Sequence, residues 1–333
     1  IMKVRKYTVV NKFTNYLPDA SDFELVQEKS TPLRHGEFLV KAEYISVDPY
    51  LRSFASRRRI PYEQFSFQVG TVVDSKNPTF PTNMYVVSHS GWRDYVVLNG
   101  DADNIFGIKP YEPQIGDLPL SLAVGALGMP GMTAYLGLLE ICKPQPGEVV
   151  CVTSAAGAVG SLVGQIAKIN RCTVIGFTGS DEKVRVLLEE LGFDFAFNYN
   201  TEKDVKGAIQ SKVRGVDCFF DNVGGQLAED IMECMNEHGR VAECGSISTY
   251  GTAKFSSKKS RFMNSVKVTS FSFTQWDWWQ RSAAVLQLRE WVQKGTIKAK
   301  ETVVNGFEGL PDTFIAMLRG DNVGKSLVKV WTE

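Results

Sequence analysis

Histidine is scarce in this 333-residue chain, and the three that occur, His35, His89 and His238, stand far apart. The six cysteines (Cys142, Cys151, Cys172, Cys218, Cys234 and Cys244) form no Cys-x-x-Cys pair. A structural zinc site needs clustered thiolates, and a catalytic one needs Cys, His or carboxylate ligands placed together, so no metal is expected. Cys151, Cys218 and Cys244 fall in apolar runs that read as buried strands, where cysteine behaves as a small hydrophobe. No apolar run reaches the roughly 20 residues that cross a bilayer. The opening Ile1-Met2-Lys3-Val4-Arg5 lacks the apolar core of a signal peptide, so a soluble, cytoplasmic protein is expected. Charge of one sign is also missing: Lys plus Arg and Asp plus Glu both total 37, a formal net charge of zero. No global basic field points to nucleic acid or to an anionic membrane. The one compact basic run, Arg57-Arg58-Arg59, reads as a surface loop or as a dock for a substrate carboxylate.

The most informative segment is Val149-Val150-Cys151-Val152-Thr153-Ser154-Ala155-Ala156-Gly157-Ala158-Val159-Gly160. A β-branched apolar run ends in a turn of small residues, and an apolar helical stripe follows at Val159, Leu162, Val163, Ile166 and Ala167. The turn reads Ala-x-Gly-x-x-Gly, a dinucleotide fingerprint with alanine in the first glycine slot. Gly157 lets backbone approach a pyrophosphate, Gly160 lets helix and strand pack closely, and the helix N-terminus favours phosphate. The competing reading is a tight turn with no ligand. A second apolar run, Thr173 to Thr178, ends about 20 residues later, where an NAD site carries Asp or Glu for the ribose 2′-hydroxyl. Here stands Gly179-Ser180-Asp181-Glu182-Lys183. A small neutral pair followed by lysine suits a 2′-phosphate, although Ser180 and the two acids also make an ordinary N-cap and first helical turn. NADP(H) is expected over NAD(H), with Lys183 the discriminating residue.

Residues from about 145 to 275 alternate short apolar runs with helical patterns, which predicts a parallel sheet covered by helices. Further strands are expected at Phe195 to Tyr199, Val216 to Asp221, Arg240 to Cys244 and Val266 to Phe273, about six in all. Helices are expected near Glu202 to Lys212 and Gln226 to Asn236. Residues 1 to 125 hold short extended segments broken by Gly, Pro and Asn, the pattern of an antiparallel β domain. Gly324 to Val330 is again strand-like. Ligands of open parallel sheets bind beyond the strand ends, which singles out the loops Asp221-Asn222-Val223-Gly224-Gly225 and Cys244-Gly245-Ser246-Ile247-Ser248-Thr249-Tyr250.

Taken in order, several strings resemble the zinc-independent medium-chain dehydrogenase/reductases, within them the prostaglandin reductase or leukotriene 12-hydroxydehydrogenase group and the NADPH-dependent alkenal double-bond reductases. They are Val47-Asp48-Pro49-Tyr50-Leu51-Arg52, Gly128-Met129-Pro130-Gly131-Met132-Thr133-Ala134-Tyr135, the fingerprint with Gly164 to Lys168, Gly179 to Lys183, Phe197-Asn198-Tyr199, Phe220 to Gly225, Gly245 to Tyr250, and Gly320-Asp321-Asn322-Val323-Gly324-Lys325. The resemblance implies an α/β fold. A GroES-like antiparallel β domain (residues 1–125 and 305–333) would carry the substrate, and a Rossmann doubly wound parallel sheet domain (residues 126–304) would bind NADPH/NADP+. It also implies a homodimer, commonly built through an edge strand of the nucleotide domain. By the same resemblance Gly157, Ala158, Val159 and Gly160 hold the pyrophosphate, and Lys183 and Tyr199 hold the phosphorylated ribose. Asn222 and the loop Cys244, Gly245, Ser246, Ile247, Ser248, Thr249 and Tyr250 line the cofactor, while Phe271, Ser272, Phe273 and Asn322 approach the nicotinamide. Tyr50 and Tyr250 border the substrate. This chain has Phe271-Ser272-Phe273-Thr274 where relatives often carry valines and a tyrosine, which leaves the pocket shape open.

The implied reaction is reduction of a carbon–carbon double bond conjugated to a carbonyl, with hydride passing to the β-carbon and charge building on the oxygen as an enolate. The conjugated carbonyl is itself the electron sink, so the site must orient the acceptor and donate hydrogen bonds to the oxygen. The cofactor ribose hydroxyl and Tyr250 are the expected donors; solvent is the alternative proton source and a packing role the alternative for Tyr250. Ser46-Val47-Asp48-Pro49-Tyr50 occupies the region where zinc relatives place a cysteine ligand, so alcohol oxidation is at best a side activity. Two other readings stay open: a quinone oxidoreductase of the same superfamily, and a non-enzymatic NADPH-binding protein like the crystallins recruited from it. Trp92, Tyr50, Phe271 and Phe273 suggest an apolar pocket for a lipid tail, or plain core packing.

Overall fold

A computed structural model describes residues 2–101, 104–250 and 265–332. Backbone proximity divides the chain into two units. One holds Ile1–Gly128, Glu301–Asn322 and Ser326–Glu333; the other holds Met129–Lys300 and Val323–Lys325.

The first unit is antiparallel β. Its strands are β1 (Lys3–Val9), β2 (Phe23–Lys29), β3 (Phe38–Ser46), β4 (Tyr62–Glu63), β5 (Gln68–Ser75), β6 (Tyr85–Ser88) and β7 (Tyr95–Leu98), and a short helix α1 (Tyr50–Ala55) follows β3. β1 pairs with β2 and β4 in a small sheet. β3 is the centre of the larger one, flanked by β5 and β7 and joined by β15 (Lys325–Lys329) from the far end of the chain, which brings β14 (Glu301–Asn305) beside it. Phe38, Val40, Val72, Phe80 and Val86 alternate inward and form one core cluster, with the Phe38 and Phe80 rings stacked at 4.2 Å.

The second unit carries a six-stranded sheet in which every neighbouring pair is parallel. Its strands are β8 (Val149–Thr153), β9 (Thr173–Thr178), β10 (Phe195–Asn198), β11 (Val216–Asp221), β12 (Met235–Glu243) and β13 (Lys267–Ser270), in the order β10-β9-β8-β11-β12-β13. Near-continuous apolar runs are what a sheet buried on both faces requires; Val150, Cys151, Val152, Phe219 and Phe220 are all fully buried. The helices are α2 (Met129–Leu136), α3 (Gly160–Ile169), α4 (Asp181–Arg185), α5 (Val205–Gln210), α6 (Gly225–Met232) and α7 (Trp278–Gln293). The winding reverses between β8 and β11, so the loops after these two strands lie side by side, the arrangement that opens a ligand crevice.

Two expected boundaries move. Helix α6 stops at Met232, and β12 starts at Met235, not Arg240. The Val216 amide bonds the Cys234 carbonyl and Asn236 Nδ2 bonds Asp217 Oδ1 (2.9 and 2.7 Å), so sheet pairing captures the chain at once. The register then jumps from Val216↔Met235 to Cys218↔Arg240 through His238 at φ 62°. At the edge, β13 ends at Ser270 because Ser272 caps a 3₁₀ turn, Phe273–Gln275, that buries Phe273. Cys151 and Cys218 are buried as expected, whereas Cys244 lies just past β12 and is only half-buried.

Candidate functional site

The turn after β8 is built tightly. Ser154 takes φ 49° and its carbonyl accepts the Gly157 amide at 2.9 Å. A Cβ on Gly160 would stand 2.3 Å from that same carbonyl oxygen, so no larger residue fits there. From the end of the chain, Gly324 donates its amide to Ala156 O at 2.7 Å and braces the turn. Among the described residues no acceptor faces the amides of Ala158 and Val159, and Val159 offers no side-chain cap to α3. Open amides at a helix N-terminus are an anion site.

Beyond β9, the Ser180 hydroxyl accepts the Lys183 amide at 3.3 Å and starts α4. The Tyr199 hydroxyl lies over Gly179, 2.8 Å from where a Cβ would stand, and Asn200 Nδ2 holds the Gly179 carbonyl at 2.8 Å. Burial raises the Tyr199 phenol above its ordinary value, which keeps its proton available for donation. Asp181, the acid that weakened the argument for a 2′-phosphate, accepts Asn198 Nδ2 at 2.8 Å. Gly179, the Tyr199 phenol and the first turn of α4, which carries Lys183, thus lie together beyond β9.

The loop after β11 is organised by Asp221. Its Oδ1 accepts from Thr153 Oγ1 (2.8 Å), the Val223 amide (2.9 Å) and the Gly224 amide (3.0 Å). Desolvation nevertheless raises this carboxyl above its usual range, the amide and hydroxyl donors opposing the rise. Asn222 ties the loop to β8, its amide to Thr153 Oγ1 at 2.9 Å and its Nδ2 to Thr153 O at 2.8 Å. The loop after β12 is zipped onto this one: Cys244 and Gly245 donate to Asp221 O, and Ser248 donates amide and hydroxyl to Val223 O. The Tyr250 hydroxyl lies 3.1 Å from where a Cβ on Gly245 would stand. Burial pushes the Cys244 thiol up to about 12, so it is no nucleophile at neutral pH. The side chain of Thr249 lies outside the described residues.

Gly157 to Gly160, Lys183, Tyr199, Asn222 and the Cys244 to Tyr250 loop thus share the carboxyl edge of one sheet. Phe271 follows β13 there, but its ring packs inward on Gly137, Phe220 and Trp276. Tyr50 and Asn322 belong to the β unit. Tyr50 opens α1 with its ring among Phe54, Phe65, His89 and Phe106 and its hydroxyl 3.0 Å from His89 Nε2. Burial, and then the Asp48 carboxylate, push the Tyr50 phenol well above its ordinary range. Arg58 stacks its guanidinium 4.5 Å over Phe65 and Arg57 lies 5.9 Å over Phe54, so this basic run caps the aromatic cluster. Trp92 is no pocket wall: it is fully buried against Tyr7, Phe23 and Phe314.

A family model described as zinc-binding dehydrogenase matches residues 158–289, and one described as N-terminal domain of oxidoreductase matches residues 5–106. Prostaglandin reductase 1 from Oryctolagus cuniculus is 41% identical, the match covering 98% of this chain and 93% of that protein. The NADP(+)-dependent 2-alkenal reductase from Nicotiana tabacum is 33% identical over 98% of both chains. The crystal structure of CurA in complex with NADPH from Vibrio vulnificus superposes with a TM-score of 0.89 at 30% identity, over 99% of this chain and 100% of that one. The chain belongs to the zinc-independent medium-chain dehydrogenase/reductases, in the prostaglandin reductase group.

One family description names zinc, yet the described residues hold no group of three or more His, Cys, Asp or Glu side chains that could take an ion. In the region of the zinc relatives' cysteine, Ser46 donates its hydroxyl to the buried Asp48. Two contacts were not foreseen from the sequence, that of Asp221 with Thr153 and that of His89 with Tyr50. Asp221 carried a readable signal, an Asp followed by Asn-Val-Gly-Gly at a strand end, which makes an Asx turn. His89 carried none, since its partner Tyr50 is 39 positions away.

Proposed function

We propose that this protein is an NADPH-dependent reductase of the carbon–carbon double bond of α,β-unsaturated ketones and aldehydes, of the 15-oxoprostaglandin 13-reductase or 2-alkenal reductase type. The observation that carries the reading is the Tyr199 phenol over Gly179 with Lys183 in the adjoining helical turn, at the same sheet edge as the Gly157–Gly160 turn, in a chain similar end to end to proteins named prostaglandin reductase 1 and 2-alkenal reductase. NADPH supplies the hydride when bound. The amides at Ala158 and Val159 hold the pyrophosphate, and Lys183 and Tyr199 hold the 2′-phosphate. Asn222, whose Nδ2 is spent on β8, offers its carbonyl oxygen to the cofactor, and the Cys244 to Tyr250 loop lines it. Phe271, Ser272, Phe273 and Asn322 serve the nicotinamide end.

Tyr250 donates its hydroxyl to the oxygen where enolate charge develops, and Tyr50 is the second candidate for a catalytic role; the β unit is taken here as residues 1–125 and 305–333. A donor aimed at developing charge in a dry site is worth more than one in water. The substrate is lipid-derived, the site of action the cytoplasm, where six free thiols persist. The working form is a homodimer built on the outer strand β13, whose Val268 is 40% exposed. The test is NADPH consumption with enones of graded chain length, as free acids and esters, with NADH in parallel. Turnover of conjugated enones with NADPH and little with NADH is expected; retained nucleotide binding with no enone reduced would refute the reading.

A further inference from the structure

Among the described residues of the parallel-sheet unit, Asp221 is the one buried acid, 4% exposed. The strand order β10-β9-β8-β11-β12-β13 gives this carboxyl edge a direction. Lys183 and Tyr199 follow β9 and β10, the fingerprint turn follows β8, and β11 to β13 are left for the nicotinamide end. Asp221 closes β11, and its carboxylate is held by neutral donors. Oδ1 takes Thr153 Oγ1 (2.8 Å), the Val223 amide (2.9 Å) and the Gly224 amide (3.0 Å), and Oδ2 takes the Gly224 amide again at 3.1 Å. Thr153 Oγ1 itself accepts the Asn222 amide at 2.9 Å, so its one hydrogen is committed to Asp221. A ring of donors calls for an ionised carboxylate, which only accepts. The loop needs Oδ1 and not the charge, since an amide oxygen at that place would accept the same three donors. What the carboxylate adds is a buried negative charge with no cation among its bonded partners. Its register partner on β12, Glu243, bonded by Ser270 Oγ, sets a second acid beside it. Uncompensated buried charge is costly to hold, and where it stands at a ligand crevice it points to function.

We propose that the Asp221 carboxylate tunes the bound cofactor toward hydride release, by keeping a fixed negative charge at the nicotinamide half of this sheet edge. The proposal rests on the reading above, in which Asn222 and the Cys244 to Tyr250 loop line the cofactor. Both are tied to Asp221. Asn222 follows it in the chain and shares Thr153 with it, while Asp221 O accepts the Cys244 and Gly245 amides at 2.9 and 3.2 Å. Hydride transfer breaks one C–H bond of the dihydronicotinamide and forms one at the enone β-carbon. The electron pair travels with the hydrogen, so the enone is reduced and the ring is left with one positive charge. A fixed anion lowers the energy of that charge and of the transition state in which it grows, whereas the neutral reduced ring gains nothing from it. Burial keeps the interaction out of high dielectric and largely out of reach of salt. Asp221 acts here through its field, not by contact with the reacting atoms.

The test is calorimetric titration of the intact protein with NADP+ and with NADPH. Asp221→Asn keeps Oδ1 for the loop and removes the charge. It is expected to weaken NADP+ about tenfold and NADPH little, a change in the ratio of dissociation constants equal to about 30 mV in the two-electron potential of the bound cofactor. Turnover of an enone at saturating NADPH is expected to fall while KM for NADPH holds. Glu243→Gln, at an exposed position, removes the neighbouring charge without touching the loop. It should move the ratio the same way by about twofold, and lose that shift in about 1 M salt. Equal weakening of both forms by Asp221→Asn is a loop effect and overturns the proposal, as does an unchanged ratio. If Asp221→Asn does not fold, an unchanged ratio in Glu243→Gln overturns it alone. A wild-type protein that binds neither form instead removes the underlying reading of this edge as a cofactor crevice.

Discussion

Lys183 decides cofactor choice in the proposed site, because it is the cation in the first turn of α4 beside the Gly179 floor. Removing a charge-assisted contact to the 2′-phosphate costs about 1.5–3 kcal/mol. Lys183→Ala is therefore expected to weaken NADPH about ten- to a hundredfold, with NADH nearly unaffected, as measured by calorimetry. Tyr250→Phe keeps the ring over Gly245 and deletes the donor; kcat should drop about tenfold or more while NADPH affinity holds. His89 makes a stability prediction independent of catalysis. Its pKa is about 4 in the folded protein against 6.5 for an ordinary imidazole. As pH falls, the unfolded chain takes up the proton first. Stability present above pH 6.5 is thus lost progressively toward pH 4, by at most about 3 kcal/mol. In His89→Phe the fall in urea midpoint between these pH values should be smaller than in the wild type; an identical fall would remove the buried imidazole as its cause.

At the scale of elements, the site depends on close approaches that one added carbon destroys. Gly324 sits at φ 69° with a Cβ position only 2.0 Å from Lys300 O, and its amide braces the turn before α3. Gly324→Ala is expected to cost about 2–3 kcal/mol and to weaken NADPH, as read by thermal melts with and without nucleotide. Gly160 was readable from its slot in the fingerprint, and β8, β9 and β11 from their β-branched and aromatic runs. The α6–β12 boundary was not, because Asn236 and His238 belong to neither a helical nor a strand pattern. Pairing with Val216 and Asp217 draws them into the sheet edge. The shortening of β13 was likewise invisible: Phe271 leaves the strand direction to cover Gly137, a contact between positions remote in sequence.

For the molecule as a whole, β13 is one of the two outer strands of its sheet among the described residues, and the proposed dimer is built on it. An unpaired sheet edge is a template for a second chain. Light scattering is expected to give a dimer, and Val268→Lys to shift it toward monomer; a wild-type monomer at all concentrations would discard that arrangement. The places of the proposed site were legible from the chain alone: the glycine-spaced turn, the lysine after the second strand and the hydroxylic loop after the fifth are each short, contiguous patterns, and all three fall at the ends of parallel strands. Associations between distant segments needed three dimensions. Tyr50 meeting His89, Asp221 gathering Thr153 and two amides, Arg58 capping Phe65, and Gly324 bracing Ala156 all follow from how sheets order their strands. Sequence spacing does not encode that order, since burial and backbone pairing select it for the fold entire.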